Sequence, residues 1–70
     1  MNSYLIKQKK YQEIVKFLSE NQHIYPNSLK DFLSCSYKQA YRILCEIKEK
    51  YNIKTKFVSA KTFQMYLDEE

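Results

Sequence analysis

Apolar residues recur at Tyr11, Ile14, Val15 and Leu18, the i, i+3, i+4, i+7 spacing of one helix face. Phe17 widens the stripe, while Lys9, Lys10, Gln12, Glu13, Lys16 and Glu20 fall mostly outside it. Residues 4–21 therefore read as helical, most regularly over about 8–20. Tyr4, Leu5 and Ile6 either begin this helix or form a separate apolar hook. Asn21-Gln22-His23 offers a stop that tolerates the left-handed region. Ile24 and Tyr25 suit a short extended pairing segment, and Pro26 pushes Tyr25 out of the α region.

Ser28 is placed to cap a second helix, with Asp31 three residues on in a shortened capping-box pattern. That helix is brief, about 29–34. Ser36 caps a third helix over about 37–50, and Gln39 supplies the other half of a second capping box. Its apolar face is Ala40, Ile43, Leu44, Ile47 and Tyr51. Arg42–Glu46 and Glu46–Lys50 stand at the i,i+4 spacing of helical ion pairs. Asn52 stops the helix. Ile53 to Val58 alternates apolar and polar, which predicts a short strand, most extended over about 54–58. Ser59 then caps a last helix over about 60–67, with Phe63, Tyr66 and Leu67 inward. Asp68, Glu69 and Glu70 sit at the unfavourable end of its dipole, which predicts fraying.

Seventy residues make one small domain, residues 1–70, near the lower size limit for folding alone. That size excludes large closed-pocket enzymes and leaves function to the outer surface. With 44% hydrophobic and 29% charged residues, disorder is not expected. No Gly is present, so no turn of the Asn-Gly kind is available. No apolar run approaches membrane-spanning length, and Met1 to Lys7 lacks the apolar region of a signal peptide. A cytoplasmic location with reduced Cys35 and Cys45 is the expectation.

Charge adds a direction. Twelve Lys and Arg oppose eight Asp and Glu, and three of those acids are Asp68, Glu69 and Glu70. Twelve cations against the five remaining acids leave residues 1–67 at +7. Such a body attracts polyanions; the alternative is a basic surface tuned for solubility.

Catalytic chemistry is not indicated. His23 is the single histidine and reads as a turn residue. One His and two Cys do not make a zinc site. There is no carboxylate pair, phosphate-cradling Gly loop or Ser-His arrangement. The chain reads as a non-enzyme with no cofactor.

The informative stretch is Leu29 to Leu44. Leu29, Leu33, Cys35, Ala40 and Ile43 have the spacing of two steeply crossing helices sharing a small core. Leu29 and Leu33 form one face, Cys35 plugs the turn, Ala40 permits close approach and Ile43 closes the far side. This pattern resembles the helix-turn-helix of prokaryotic DNA-binding proteins. Ser34 stands at the turn where Gly is usual, so it implies strain or a slightly different turn. Lys30 stands where a small residue is usual and must carry its head to solvent. With the preceding Ile24-Tyr25 and the following strand, the chain resembles a winged helix. The end, Phe57-Val58-Ser59-Ala60-Lys61-Thr62-Phe63-Gln64-Met65-Tyr66-Leu67, is similar to the close of small excisionase-type domains of mobile elements and phages.

The resemblance implies a fold that is mainly α: a winged helix-turn-helix of three to four helices with a short β segment. It implies double-stranded DNA as partner, with residues 36–48 as recognition helix and several copies side by side. The expected contacts are Ser36 with the first-turn amides on phosphate, Lys38 and Arg42 on a guanine edge or phosphate, and Tyr37 and Tyr41 on phosphates or thymine methyls. Lys54, Lys56 and Lys61 would flank the groove from the wing; the alternative for them is a solvated basic edge. The implied role is a recombination directionality factor or a small transcription regulator. A different reading rests on the aromatics, seven Tyr and four Phe. It makes the chain a protein-binding accessory subunit of a recombinase, polymerase or helicase, or a phage-encoded inhibitor. One variant of it has single-stranded DNA stacking on the rings.

Overall fold

The computed structural model describes residues 3–69, with backbone alone for Ser3 and Tyr4. Its elements run α1 (Ser3–Lys7), α2 (Tyr11–Glu20), β1 (His23–Ile24), α3 (Pro26–Leu33), α4 (Tyr37–Tyr51), β2 (Val58–Ser59) and α5 (Ala60–Glu69). The described chain is thus mainly helical, with five helices and one two-stranded antiparallel sheet. In that sheet His23 faces Ser59 and Ile24 faces Val58. No described helix is long and apolar enough to cross a membrane.

The N-terminal helical stretch is broken rather than continuous. Lys10 takes an extended conformation as cap of α2, with φ −70° and ψ 150°. The break lets Ile6 fold onto the core, where it is fully buried. That is the separate apolar hook, seen here in Leu5 and Ile6; the Tyr4 side chain lies outside the described residues. The inward face of α2 is also rotated from the periodic expectation. Tyr11 is 74% and Val15 43% exposed, whereas Phe17 is buried between half-buried Ile14 and Leu18. Phe17 carries more apolar area than Val15, and its ring finds two partners. It stacks on Phe32 at 4.2 Å and meets Phe63 edge-on at 6.4 Å.

Other boundaries move for local reasons. Asn21 ends α2 without entering the left-handed region; its φ is −133° and its side-chain amide donates to the Phe17 carbonyl at 2.9 Å. His23 belongs to β1 rather than to a turn. The second helix of the pattern, α3, starts at Pro26 and not after Ser28. Pro lacks the N–H that a first-turn residue leaves unpaired anyway, so Tyr25 caps in extended form and Ser28 lies inside the helix. Asp31 faces outward and accepts from Lys30 Nζ at 3.1 Å instead of reaching back. The same contact carries the Lys30 head to the surface, as its position requires.

Ser34 closes α3 in the left-handed region, φ 53° and ψ 46°, with its N–H on the Lys30 carbonyl. It takes the conformation usual for Gly, at a cost of about 1–2 kcal/mol for a residue with a Cβ. Ser34→Gly should therefore raise stability by about 0.5–1 kcal/mol after Gly's larger unfolded-state entropy is counted. For a domain of this size that is about 4 °C in Tm, read by a circular-dichroism melt.

Inside α4, Ala40, Ile43, Leu44 and Ile47 are buried as the periodicity predicts, and Tyr51 packs on them half-buried. The capping box at Ser36 and Gln39 is formed, and Asn52 stops the helix in the left-handed region with φ 55°. Neither expected ion pair organises this helix. Glu46 accepts from the Tyr66 hydroxyl at 3.0 Å, and Lys50 Nζ pairs with Glu69 at 2.9 Å. Arg42 forms no ion pair with Glu46; burying Tyr66 draws the carboxylate toward its hydroxyl instead.

The expected strand over 53–58 shrinks to Val58–Ser59. Among the described residues its partner is β1, two residues long, which gives the preceding residues no ladder to join. Thr55 Oγ1 instead donates to the Phe57 carbonyl at 2.7 Å and bends the chain. Ser59 Oγ then accepts from the Thr62 amide at 3.2 Å, capping α5 as expected. Phe63 and Tyr66 are buried and Leu67 packs beside them.

The acidic end is tied down through Glu69, contrary to the fraying expectation; Glu70 lies outside the described residues. Tyr51 Oη donates to Glu69 at 2.8 Å beside the Lys50 pair. Hydrogen bonds from Lys50 and Tyr51 hold the Glu69 carboxyl below the usual carboxylate range. Its folded pKa is depressed, so this stabilisation is present above the ordinary glutamate value of about 4.3 and fades as pH falls through the lower folded value. Glu69→Gln should lose less stability on acidification than wild type, which melting temperatures across that pH range will show.

Candidate nucleic-acid interface

The α3–turn–α4 unit sets the candidate surface. The left-handed Ser34 reverses the chain, and the Cys35 amide donates to the Lys30 carbonyl at 3.2 Å. The capping box then fixes the first turn of α4: the Gln39 amide donates to Ser36 Oγ at 3.1 Å, and the Ser36 amide to Gln39 Oε1 at 3.3 Å. Because Ala40, Ile43, Leu44 and Ile47 are buried, the opposite side of α4 faces outward.

Lys38 and Arg42 stand on that outermost line, and Tyr37 and Tyr41 on the flank beside it. All four are exposed, each tyrosine by half. The two phenol rings are nearly parallel, 15° between planes and 6.2 Å between centroids. Hydrogen bonding to the Cys45 side chain, one turn on, pushes the Tyr41 phenol above its ordinary pKa.

Electrostatically the first turns of α4 are cationic, while exposed Glu46 and Glu49 lie further along the helix. Between Asp31 and Glu46 the chain has no acid, and neither Lys38 nor Arg42 has an acidic partner among the described residues. The acids Glu13, Glu20 and Asp31 instead line a groove between α2 and α3, about 550 Å³, alternating with Lys9 and Lys16 around Phe17 and Phe32. Within the first turn of α4, the capping box already uses the Ser36 and Gln39 amides and the Ser36 hydroxyl. The Tyr37 and Lys38 amides remain as donors for an anion.

The structure thus gathers Ser36, Tyr37, Lys38, Tyr41 and Arg42 at one end of α4. Lys54 and Lys56 lie past its other end, on the Thr55 bend; from Arg42 to the end of α4 at Tyr51 the helix still rises about 14 Å. Lys61 is exposed in the first turn of α5. Residues 50–67 hold Lys50, Lys54, Lys56 and Lys61 and no acid, so this second region is also cationic.

One cluster was not anticipated from the sequence. His23 meets the Phe57 ring edge-on at 4.3 Å and Tyr25 lies tilted over it at 5.6 Å. It sits beside Lys54 and Lys56 in the chain and leaves Tyr25 exposed. Only the β1–β2 pairing brings these rings together, and no short-range spacing encodes it. No group of three potential metal ligands occurs among the described residues. Compared with protein-family models, curated proteins and solved structures, the chain matches none.

Proposed function

We propose that the protein is a small winged helix-turn-helix module that binds double-stranded DNA through the outer face of α4. The observation that carries this reading is the pair Lys38 and Arg42, exposed on the outermost line of α4 with no acid in contact and none in the chain from 32 to 45. An unpaired cationic line on a helix held rigidly by its inner face fits a major groove about 12 Å wide. The element order also supports it: a strand, two helices joined by a three-residue turn, a second strand and a closing helix. In this reading the bend at Thr55 is a minimal wing carrying Lys54 and Lys56, with Lys61 at its base, and Arg42 reads bases while Lys38 neutralises phosphate. Such a module acts by occupying and bending a site in several copies. That suits a recombination directionality factor or transcription regulator of a mobile element or phage.

A second reading, docking on a recombinase, polymerase or helicase, is favoured by the exposed rings of Tyr11, Tyr37 and Tyr41. Binding isotherms for a labelled duplex at about 50 and about 200 mM salt separate the two. DNA binding through cations predicts affinity that falls steeply with salt. Absence of duplex binding at the lower salt would sink the DNA reading and favour the protein partner.

A further inference from the structure

The sites on α4 that hold cations and those that hold rings are different lines of the same helix. Lys38 and Arg42 form the outermost line, and Tyr37 and Tyr41 the flank. A regular groove of stacked base pairs offers the flank only phosphates and base edges. The phenol rings present something these do not require: flat, solvent-open faces. Each tyrosine is half exposed, and their described ring partner is one another, at 6.2 Å and 15°.

The spacing is set by the helix. Residues four apart rise about 6.0 Å along the helix, and the nearly parallel rings keep a similar separation, 6.2 Å between centroids. Stacked nucleotides repeat at about 3.4 Å, so a ring separation near 6 Å is of the order of two stacking intervals. The neighbouring cations supply what an unpaired nucleotide also carries, a phosphate. No acid lies in the chain from 32 to 45 to oppose it.

We infer that Tyr37 and Tyr41 form a stacking platform for unpaired bases, so that the preferred ligand of this face is DNA with a short single-stranded gap beside duplex. This rests on the DNA reading of α4 and narrows it. Lys38 holds the backbone of either kind of DNA, Arg42 reads the duplex part, and the rings add affinity only where bases are free to turn out. Base stacking on an aromatic ring is sequence-tolerant, so the preference follows strandedness and not sequence.

The test is a fluorescence-anisotropy titration at one salt concentration. It compares a continuous duplex with the same duplex carrying a short gap, using the full chain. Wild type should bind the gapped DNA about 10-fold more tightly, the order of one stacked base. Tyr37→Leu with Tyr41→Leu keeps apolar bulk but removes the flat faces, and should bring the ratio of gapped to continuous affinity down to about one. Tyr37→Phe with Tyr41→Phe keeps the faces and should retain the preference, a result a hydroxyl–phosphate contact would not give. Equal or tighter binding of the continuous duplex by wild type overturns the platform and leaves the DNA reading of α4 standing. So does a preference that survives the Leu changes. Binding to neither DNA overturns both. The wild-type comparison decides even if the Leu variant fails to fold.

Discussion

Ala40→Glu should leave the protein largely unfolded. Ala40 has no exposed surface and belongs to the core cluster that also holds Leu29 and Leu33 of α3 and Ile43 and Leu44 of α4, which pack together. A glutamate there must push the helices apart or bury its carboxylate without a partner. Overpacking alone costs about 1–3 kcal/mol, and an unpaired buried charge adds several more. A domain of this length has about 4–10 kcal/mol in total to lose. Loss of the cooperative thermal transition and of helical ellipticity is the expected result. A variant that melts within a few degrees of wild type would place Ala40 on the surface and invert the inner and outer faces of α4, taking the candidate interface with it.

Reversing the outer cations should do the opposite: leave the fold and remove the binding. Lys38 and Arg42 are exposed and make no ion pair among the described residues, so Lys38→Glu with Arg42→Glu should shift Tm little. Two lost contacts of about 1–3 kcal/mol each, plus repulsion, should weaken duplex binding by about 100-fold or more. The neutral changes divide the roles. Lys38→Ala should weaken all duplexes alike and flatten the salt slope by about one unit, whereas Arg42→Ala should chiefly erase preference among sequences. Isotherms at two salt concentrations measure both. Among the described residues Arg42 makes no ion pair with Glu46, whose carboxylate accepts from the Tyr66 hydroxyl.

The helical core was legible in the sequence wherever one strong periodic signal acted alone. The buried positions of α4, its capping box and its Asn52 stop follow from side-chain spacing and local hydrogen bonds. So does the Ser59 cap of α5. Legibility failed where tertiary partners decided between two local solutions. In α2 the stripe through Tyr11 and Val15 was periodic, but Phe32 and Phe63 reward burial of Phe17, and the helix turned accordingly. Ser28 was a sound cap by itself, yet Pro26 at the first helical position moved the start of α3 by a turn. Alternation over 53–58 promised a strand, but a strand needs a ladder partner, and β1 supplies only two residues. The expected ion pairs of Glu46 and the fraying of the acidic end both gave way to contacts about twenty residues away in the chain, Tyr66 on Glu46 and Tyr51 on Glu69. Of the candidate site, the grouping of Ser36, Tyr37, Lys38, Tyr41 and Arg42 follows from one helix and one capping box, so sequence alone carried it. The separation of Lys54 and Lys56 from that group depends on the length of α4 and the Thr55 bend. The ring cluster of His23, Tyr25 and Phe57 depends on a two-residue sheet.

The central claim is that the outer face of α4 touches DNA. Backbone amide resonances followed by NMR during titration with a short duplex at low salt test it residue by residue. The account predicts that the largest shifts fall on Ser36 to Arg42, with smaller ones at Lys54 and Lys56, and that added salt reverses them. Shifts centred on Tyr11, Val15 and Met65, or no shifts at all, would contradict it.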